Sequence, residues 1–331
     1  MTPSPFSIGI DIGGTKISSA LVNTETVNPD EQLSNFQELP TPKESKPFLE
    51  ALLTLIEKQR AANSNVNAIG ISTAGIVDFI HGKVLGSTGN LPGIRGVENL
   101  KELLEEKTGL LVYVENDANA AAYGECRAGA GRSLQDMVMV TLGTGVGTGI
   151  VVHGNMVRGG HFSAGEGGHI PISNAHERDC TCGRKDCWEA FASGTGLALT
   201  TKKSLEKASE ADRSAFLAIS GKSLEDVHTH ELIDAHKKGD KLAKEILTAW
   251  HHHVALGLRA ILNLLDPDAI VIGGGLAQFV DFEQLTKITE PQAMISGIRL
   301  IPATLGNQAG IVGAAFLAHE AAQKARMAVP A

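Results

Sequence analysis

The sequence predicts an α/β protein built from two lobes. The chain has 331 residues, which is long for a single hydrophobic core. Short apolar runs typical of strands alternate with stretches of helical periodicity, such as Pro47 to Ala62. Two glycine-rich turns, at residues 13–15 and 143–149, each separate two apolar runs. Because each turn opens one half of the chain, we expect two lobes that begin in the same way.

The first turn is predicted to close a β-hairpin. The apolar runs Phe6 to Ile12 and Lys16 to Val22 flank Gly13-Gly14-Thr15. In a plain hairpin, Asp11 would serve only as a turn residue. Alternatively, the bare glycine N–H groups, the Thr hydroxyl and Lys16 hold a phosphate, and Asp11 faces a metal–phosphate complex. The turn is not a Walker loop, since that signature is absent and no helix follows.

Polar residues follow a buried strand in the middle of the first half. The strand is predicted at Leu110 to Val114, and Glu115-Asn116-Asp117-Ala118-Asn119 leads from it into an Ala-rich helix, Ala120 to Ala128. One of these side chains would suffice as the helix N-cap. Ligands bind at the carboxyl ends of strands in open α/β sheets. We therefore favour Asp117 as a functional carboxylate, a general base that accepts a proton from a substrate hydroxyl.

The second glycine turn echoes the first. A strand predicted at Asp136 to Leu142 is followed by Gly143-Thr144-Gly145-Val146-Gly147-Thr148-Gly149, and strand character resumes at Ile150. The spacing does not match a dinucleotide fingerprint, and no helix follows. A later strand, Ala269 to Ile272, ends in Gly273-Gly274-Gly275. Those glycines either pack against a flat ligand such as adenine or make a tight turn into a helix.

A metal site is predicted in the second half. Glu166-Gly-Gly-His169 is followed by Cys180-Thr-Cys182-Gly-Arg-Lys-Asp-Cys187-Trp-Glu189. Thiolates and imidazole are the preferred ligands of tetrahedral zinc, and one His with three Cys leaves no position for water. The zinc would therefore be structural. The two glutamates are not needed by the metal and are available for another role.

Composition limits the classes of partner. The net charge is -8 and the basic residues are scattered, which gives no indication of a nucleic-acid surface. Four cysteines in a chain of this length do not suggest a disulfide framework, so a reduced, cytoplasmic setting is expected. We find neither a signal-peptide pattern nor an apolar run that could cross a membrane. Together the motifs favour a two-lobed phosphotransferase with a nucleotide in its cleft.

The same motifs resemble those of the ROK (repressor, open reading frame, kinase) family of sugar kinases over essentially the whole chain. The segments that carry the resemblance are Asp11-Ile-Gly-Gly-Thr15-Lys16, Glu115 to Asn119, Leu142 to Gly147, the His169 and cysteine signature, and Val271 to Leu276. The resemblance implies an actin-like, ribonuclease-H-like α/β fold of two lobes with a structural zinc loop. It places a small lobe at residues 1–117 and a large lobe at 118–309, with the C-terminal helix, about 310–331, packing back on the small lobe.

The resemblance also implies roles for individual residues. Asp117 resembles the catalytic base, and Asp11 the residue that orients Mg²⁺ on ATP. The implied sugar ligands are Gly75, Asn90, Asn116, Asp117, Glu166, His169 and Glu189. The implied ATP-binding residues are Asp11, Gly13, Gly14, Thr15, Lys16, Gly143, Thr144, Gly145, Gly273, Gly274 and Gly275. The implied zinc ligands are His169, Cys180, Cys182 and Cys187, with one ring nitrogen of His169 for zinc and the other for sugar.

The expected activity is ATP-dependent phosphorylation of a hexose at its 6-hydroxyl, with glucose as the first candidate. Gly93 stands where many family glucokinases have Trp, and Asp186 where the zinc loop usually has Gly. The segment 70–75 is closer to N-acetylmannosamine kinases, which keeps that amino sugar and N-acetylglucosamine as alternatives. A non-catalytic sugar-sensing regulator is the alternative of another class. Only ten residues precede Asp11, which argues against a DNA-binding role. The family implies a homodimer, and use of polyphosphate in place of ATP stays open.

Overall fold

The computed structural model describes residues 4–86 and 91–328. Their contacts divide the chain into two compact units. The first unit comprises the chain up to residue 139, residues 149–165 and the chain from residue 303 onward, and the second comprises residues 140–148 and 166–302. The sequence predicts a lobe boundary at residue 117, whereas these contacts keep residues 118–139 and 149–165 with the N-terminal segment.

Strands and helices are interspersed in residues 6–156 and 269–327, whereas residues 189–265 form five successive α-helices. The strands are β1 (Phe6–Ile12), β2 (Lys16–Asn23), β3 (Leu33–Pro40), β4 (Ala68–Thr73), β5 (Ile76–Asp78), β6 (Lys83–Gly86), β7 (Leu111–Asn116), β8 (Met137–Leu142), β9 (Val146–Val152), β10 (Asn155–Met156), β11 (Ala269–Gly273) and β12 (Leu300–Pro302). The helices are α1 (Pro29–Gln32), α2 (Ser45–Ala62), α3 (Leu100–Thr108), α4 (Asp117–Ala128), α5 (Glu189–Ala192), α6 (Gly194–Lys207), α7 (Glu210–Ser220), α8 (Thr229–Lys237), α9 (Lys241–Leu265), α10 (Phe282–Thr289) and α11 (Ala309–Met327).

The first unit is built on a five-stranded sheet in the order β3-β2-β1-β4-β7. The hairpin β1–β2 is antiparallel, as the first glycine turn predicts, while β4 is parallel to both β1 and β7. In this register Asp11 pairs with Ser72, and Ser72 pairs with Glu115. The carboxyl ends of three neighbouring strands therefore bring these polar residues into one row, where open α/β sheets bind ligands.

Helix α11 packs against β1, β4 and α4 because glycines let the backbones approach closely. A Cβ at Gly70 in β4 would lie 1.9 Å from the carbonyl oxygen of Ala314. A Cβ at Gly313 would lie 1.7 Å from the carbonyl oxygen of Ala120 in α4. Side chains of α2 and α3 contribute to a separate apolar cluster with the sheet, which includes the fully buried Phe48. The close fit of α11 to α4 explains why the residues after 117 group with the first unit.

A second five-stranded sheet has the order β10-β9-β8-β11-β12, and the division between the units passes through β8 and β9. Strands β11 and β12 are parallel. In the second unit, Trp188 is fully buried against α9, where Gly257 makes room for its ring. The indole nitrogen of Trp188 donates to the carbonyl of His253 at 3.0 Å. Across residues 4–86 and 91–328, no helix is both long and apolar enough to cross a membrane.

Candidate functional site

The first unit places two carboxylates near each other. Asp11 lies in β1, and its Oδ1 accepts a hydrogen bond from Ser72 Oγ at 2.6 Å. Burial raises the pKa of Asp11 to about 6, and repulsion from the Asp117 carboxylate adds to this, while the Ser72 hydrogen bond opposes it. The first turn of α11 lies against Asp11 and Ser72, since a Cβ at Gly310 would lie 3.0 Å from both Asp11 Oδ1 and Ser72 Oγ. Ser72 was not predicted as a site residue.

The sequence leaves open which polar residue caps α4 and which has a functional role, and the structure gives the capping role to Asn116. Asn116 is the N-cap of α4, and its Oδ1 accepts from the N–H groups of Ala118 at 3.0 Å and Asn119 at 3.1 Å. Its Nδ2 donates to the carbonyl of Gly75 at 3.0 Å. The Asn116 side chain also makes a hydrogen bond to the Asp117 carboxylate. Asp117 is therefore not required as the helix cap.

The Asp117 carboxylate lies at the N-terminus of α4. The residue is exposed, yet protein atoms surround its carboxylate closely enough that desolvation raises its pKa. Hydrogen bonds oppose that rise, including one from the Ala118 N–H to Asp117 Oδ1 at 2.9 Å. A carboxylate with a raised pKa and an accessible surface can accept a proton from a hydroxyl group.

The first glycine turn presents backbone to solvent. Gly13 N donates to the carbonyl of Lys16 at 3.0 Å, and Thr41 Oγ1 donates to the carbonyl of Gly13 at 2.6 Å. Gly14 and Thr15 are exposed at its tip. The ammonium of Lys16 pairs with Glu38 at 2.7 Å. Exposed pairs of this kind are weak, so a phosphate could replace Glu38 as the partner of Lys16.

The second unit brings the four predicted metal ligands together. The ligand atoms of His169, Cys180, Cys182 and Cys187 all lie within 4.8 Å of one another. The Sγ atoms of Cys182 and Cys187 are 3.7 Å apart, and Cys180 Sγ lies 3.6 Å from His169 Nδ1. Tetrahedral zinc with Zn–S bonds of about 2.3 Å separates two sulfurs by about 3.8 Å. The donor set and its spacing therefore fit zinc.

His169 presents different nitrogens to the metal cluster and to Glu166. Its Nδ1 faces Cys180, whereas its Nε2 lies 3.7 Å from Glu166 Oε2. With Nδ1 on a metal, Nε2 would carry the proton and face the carboxylate. Such a partner fixes the orientation of a metal-bound imidazole. Glu166 itself is half-exposed, and its carboxylate remains accessible to a ligand.

Asp186 braces the loop that holds the cysteines. It has a φ of 56°, in the left-handed region where glycine is the usual residue. Its buried carboxylate accepts from the backbone N–H groups of His176 at 2.7 Å, Glu177 at 3.0 Å and Arg178 at 2.9 Å. Asp tolerates this conformation better than most residues, and the three hydrogen bonds offset the strain.

Glu189 contacts both the metal loop and the second glycine turn. Its Oε1 accepts from Thr181 Oγ1 at 3.0 Å, and its Oε2 accepts from the N–H of Val146 at 3.0 Å. A Cβ at Gly145 would lie 2.3 Å from Glu189 Oε2. The glycine at 145 is thus needed for the approach of this carboxylate. The sequence singled out both residues but gave no indication that they touch.

The start of α6 also contacts the second turn, which was not predicted. Gly194 N donates to the carbonyl of Gly143 at 2.8 Å, and Thr195 Oγ1 donates to the carbonyl of Thr144 at 3.2 Å. The signal in the sequence is Ser193, which caps α6 ahead of Gly194-Thr195-Gly196. These bonds hold the turn through its carbonyls and leave its N–H groups to other partners.

The glycines that follow β11 differ in their surroundings. Gly273 ends the buried strand β11. Gly274 has a φ of 86°, and a Cβ there would lie 2.4 Å from the carbonyl of Leu142, so it serves a tight strand exit. A Cβ on Gly275 would meet no described atom within 4 Å, which leaves this face open to a ligand. Asn90 lies outside the described residues.

Comparison with known proteins gives the family. The model of the ROK family matches residues 7–321. The chain belongs to the ROK family. A glucokinase of Streptomyces coelicolor is 34% identical to this ROK protein over 323 residues, 95% of this chain and 98% of the glucokinase. An N-acetylmannosamine kinase of Escherichia coli is 31% identical over 319 residues, covering 95% and 98% of the two chains.

A solved ROK structure shares the fold. The crystal structure of a ROK family glucokinase from Streptomyces griseus, in complex with glucose and AMPPNP, superimposes with a TM-score of 0.76 and 31% identity. The match covers 95% of this chain and 99% of that one. The family resemblance and the α/β kinase fold predicted from the motifs are thereby confirmed.

Proposed function

We propose that this ROK protein is an ATP-dependent sugar kinase that phosphorylates the 6-hydroxyl of glucose. The observation that carries the proposal is the Asp117 carboxylate, accessible at the start of α4 with its pKa raised by desolvation. Asn116 already caps that helix, so the carboxylate is not needed for capping. Support for glucose and ATP comes from the glucokinase relatives, one of them crystallised with glucose and AMPPNP.

In the proposed reaction, Asp117 accepts the proton of the sugar hydroxyl as the hydroxyl oxygen attacks the γ-phosphorus of ATP. A new oxygen–phosphorus bond forms, the bond between the γ-phosphorus and the bridging oxygen breaks, and ADP leaves. A raised pKa makes Asp117 a stronger base than an ordinary carboxylate. Positioning of the two substrates supplies most of the remaining acceleration.

The proposal also assigns residues to Mg²⁺ orientation, ATP binding, sugar binding and zinc binding. Mg²⁺ bound to ATP would neutralise charge on the phosphate oxygens, and Asp11, ionised above a pH of about 6, is the proposed residue that orients it. We propose that both glycine turns and Gly275 bind ATP through backbone groups. We assign sugar contacts to Asn116, Glu166, His169 and Glu189, together with Gly75 and Asn90. Zinc held by His169 and the three cysteines would brace the loop that carries Glu189.

Replacement of Asp117 by asparagine tests the base. Asp117→Asn keeps the volume of the side chain and removes the proton acceptor, so kcat should fall about 100-fold or more. Sugar affinity, measured by calorimetry, should change little. The control is Asp30→Asn, an exposed acidic residue in the first turn of α1, which should keep wild-type turnover. Near wild-type turnover in Asp117→Asn would show that the base is misassigned.

An amino sugar is the second candidate substrate, because the N-acetylmannosamine kinase of Escherichia coli is 31% identical over 95% of this chain. A coupled assay of ADP release with glucose, mannose, fructose, N-acetylglucosamine and N-acetylmannosamine separates the candidates. We expect the highest kcat/KM with glucose. The same panel with polyphosphate tests the phosphoryl donor. A protein that binds a sugar but never consumes ATP would instead be the sugar-sensing regulator.

A further inference from the structure

We propose that Arg158 and Glu115 form a positioning pair for the reaction. The pair fixes the first turn of α4 and, through it, the carboxylate of Asp117. The inference rests on the proposed function of Asp117 as the base. Arg158 lies outside the sequence motifs, and Glu115 directly precedes the Asn116-Asp117 pair.

The Glu115 carboxylate is buried at the end of β7 and contacts residues on both sides of Asp117. The residue is 1% exposed. Its Oε1 accepts from the backbone N–H of Asn116 at 3.0 Å and from Asn119 Nδ2 at 3.1 Å. Asn116 is the N-cap of α4, and Asn119 lies in the first turn. One carboxylate thus holds the residue before Asp117 and a residue two positions after it.

Arg158 balances the charge of Glu115 and is itself held in place. Its Nε donates to Glu115 Oε2 at 2.8 Å, and its Nη2 donates to Tyr113 Oη at 2.9 Å. Its Nη1 donates to the carbonyl of Met156 at 3.3 Å. The guanidinium carbon lies 4.3 Å from the centroid of the Phe79 ring, a cation–π contact. A planar guanidinium with this many partners has little freedom to move.

The burial of the pair makes it sensitive to the loss of either member. The Arg158 side chain is 15% exposed and that of Glu115 is 2% exposed. Removing one member of a buried ion pair leaves the other charge without compensation. Without Arg158, the buried Glu115 carboxylate would turn toward water. That change would weaken its hydrogen bonds to Asn116 and Asn119 and loosen the turn that aims Asp117.

The same helix carries a matched pair that should not affect the reaction. Arg127, near the C-terminal end of α4, pairs with Glu320 of α11 through Nη2 at 2.7 Å. Its guanidinium lies 4.9 Å from the Tyr123 ring centroid. Each of the two arginines therefore pairs with a glutamate and lies over an aromatic ring. They differ in that only the carboxylate bound by Arg158 contacts the first turn of α4.

The experiment compares Arg158→Met, Arg158→Lys and Arg127→Met in the full-length protein. Methionine keeps the length and packing of the side chain and removes its charge and donors. We expect Arg158→Met to lower kcat about 10-fold, with KM for sugar and ATP changed less than 3-fold. Arg158→Lys, which keeps the charge with a different donor geometry, should recover part of the loss. Arg127→Met should lower the melting temperature while kcat stays within 2-fold of wild type.

A double-mutant cycle separates positioning from a general loss of structure. If Arg158 acts through Asp117, Arg158→Met should have less than a 2-fold effect on the residual turnover of Asp117→Asn. Equal losses in both backgrounds, or a kcat of folded Arg158→Lys and Arg158→Met within 2-fold of wild type, would overturn the inference alone. Full activity of Asp117→Asn would overturn the proposed base and this inference with it. Should Arg158→Met fail to fold, Glu115→Gln takes its place in the cycle, because it keeps the volume and one acceptor.

Discussion

The two glycine turns are both rich in glycine and threonine and follow a buried strand, yet they differ in the structure. At the first turn, Gly14, Thr15 and Lys16 are exposed, and Asp11 belongs to the strand that leads into the turn. At the second turn, the Val146 N–H donates to Glu189, and the carbonyl of Gly143 accepts from Gly194. The first turn has an exposed tip and is held by Thr41, which donates to the carbonyls of Gly13 and Thr15. The second turn is held from two sides, by Glu189 and by Gly194.

The difference shows that glycine is required for two distinct reasons. In the first turn it leaves the backbone bare, so that N–H groups can meet a phosphate. In the second turn Gly145 leaves room for the carboxylate of Glu189, which follows the last cysteine by two residues. The first turn should therefore depend on the charge of Asp11, and the second on the integrity of the metal loop. Three predictions test this contrast.

The largest effect is expected from loss of the metal. Cys180→Ser removes one of four ligands, and we expect about one equivalent of zinc to be lost with at least about 3 kcal/mol of the free energy of unfolding. Because the second turn depends on Glu189, KM for ATP should also rise. Elemental analysis and thermal unfolding measure the first two effects, and the coupled assay measures the third.

Cys126→Ala is the control for Cys180→Ser. Cys126 is a buried cysteine of α4, outside the metal cluster. This variant should keep the zinc and lose only the packing of one sulfur. A wild-type protein that is purified free of metal, stable and fully active would contradict the structural zinc.

The second effect is a pH-dependent change in stability at Asp11. The folded pKa is about 6, above the ordinary 3.8, so the ionised carboxylate destabilises the fold above pH 6. This destabilisation disappears as the pH falls from 6 toward 4, because the folded state then binds the proton first. Asp11→Asn should therefore raise the free energy of unfolding by about 3 kcal/mol at pH 8 without Mg²⁺, and by less than about 1 kcal/mol at pH 4. It should also lower turnover.

Urea unfolding of wild type and Asp11→Asn across this pH range gives the difference directly. Groups that do not interact with Asp11 titrate alike in both proteins, so their contributions cancel. A gain in stability that is equal at pH 4 and pH 8 would contradict the raised pKa. Lys16→Ala should show no comparable pH dependence, because its partner Glu38 is exposed and the pair is weak.

Local patterns in the sequence predicted several elements of the fold and the clustering of the candidate metal ligands. The β1–β2 hairpin followed from Gly13 and Gly14, and the joint between β7 and α4 from Asn116 and Asp117. The clustering of the candidate metal ligands followed from the spacing of Cys180, Cys182 and Cys187, which lie on one short loop. In each case the residues lie close together in the sequence, so they form a local motif from which the structure can be predicted.

Contacts between distant residues were not predicted, because no periodic pattern encodes them. Glu115 and Arg158 are 43 residues apart, as are Val146 and Glu189. The short helix α10 and the edge strand β3 were also not predicted. The boundary predicted at residue 117 differs from the observed grouping because α4 packs against α11, an element near the other end of the chain. Contacts between residues far apart in the chain depend on how the folded elements pack, which local sequence patterns do not encode.

The smallest expected effect is a difference in the free energy of unfolding between alanine variants of Gly145 and Gly143, two glycines of the second turn. A Cβ at Gly145 would lie 2.3 Å from Glu189 Oε2, while one at Gly143 would meet no atom of the described chain within 4 Å. Gly145→Ala should displace the carboxylate and break its bond to Val146, lowering the free energy of unfolding by about 1 kcal/mol. Gly143→Ala should change it by less than about 0.5 kcal/mol.

This pair of variants tests whether the second turn is fastened by Glu189. Neither glycine has a positive φ, so an alanine adds no backbone strain at either position. Gly145→Ala in a Glu189→Gln background should then lose less stability than in the wild type, since the ionic acceptor of the Val146 N–H is already gone. Equal stabilities of the two alanine variants would mean that the carboxylate moves aside freely, and that Glu189 does not hold the second turn.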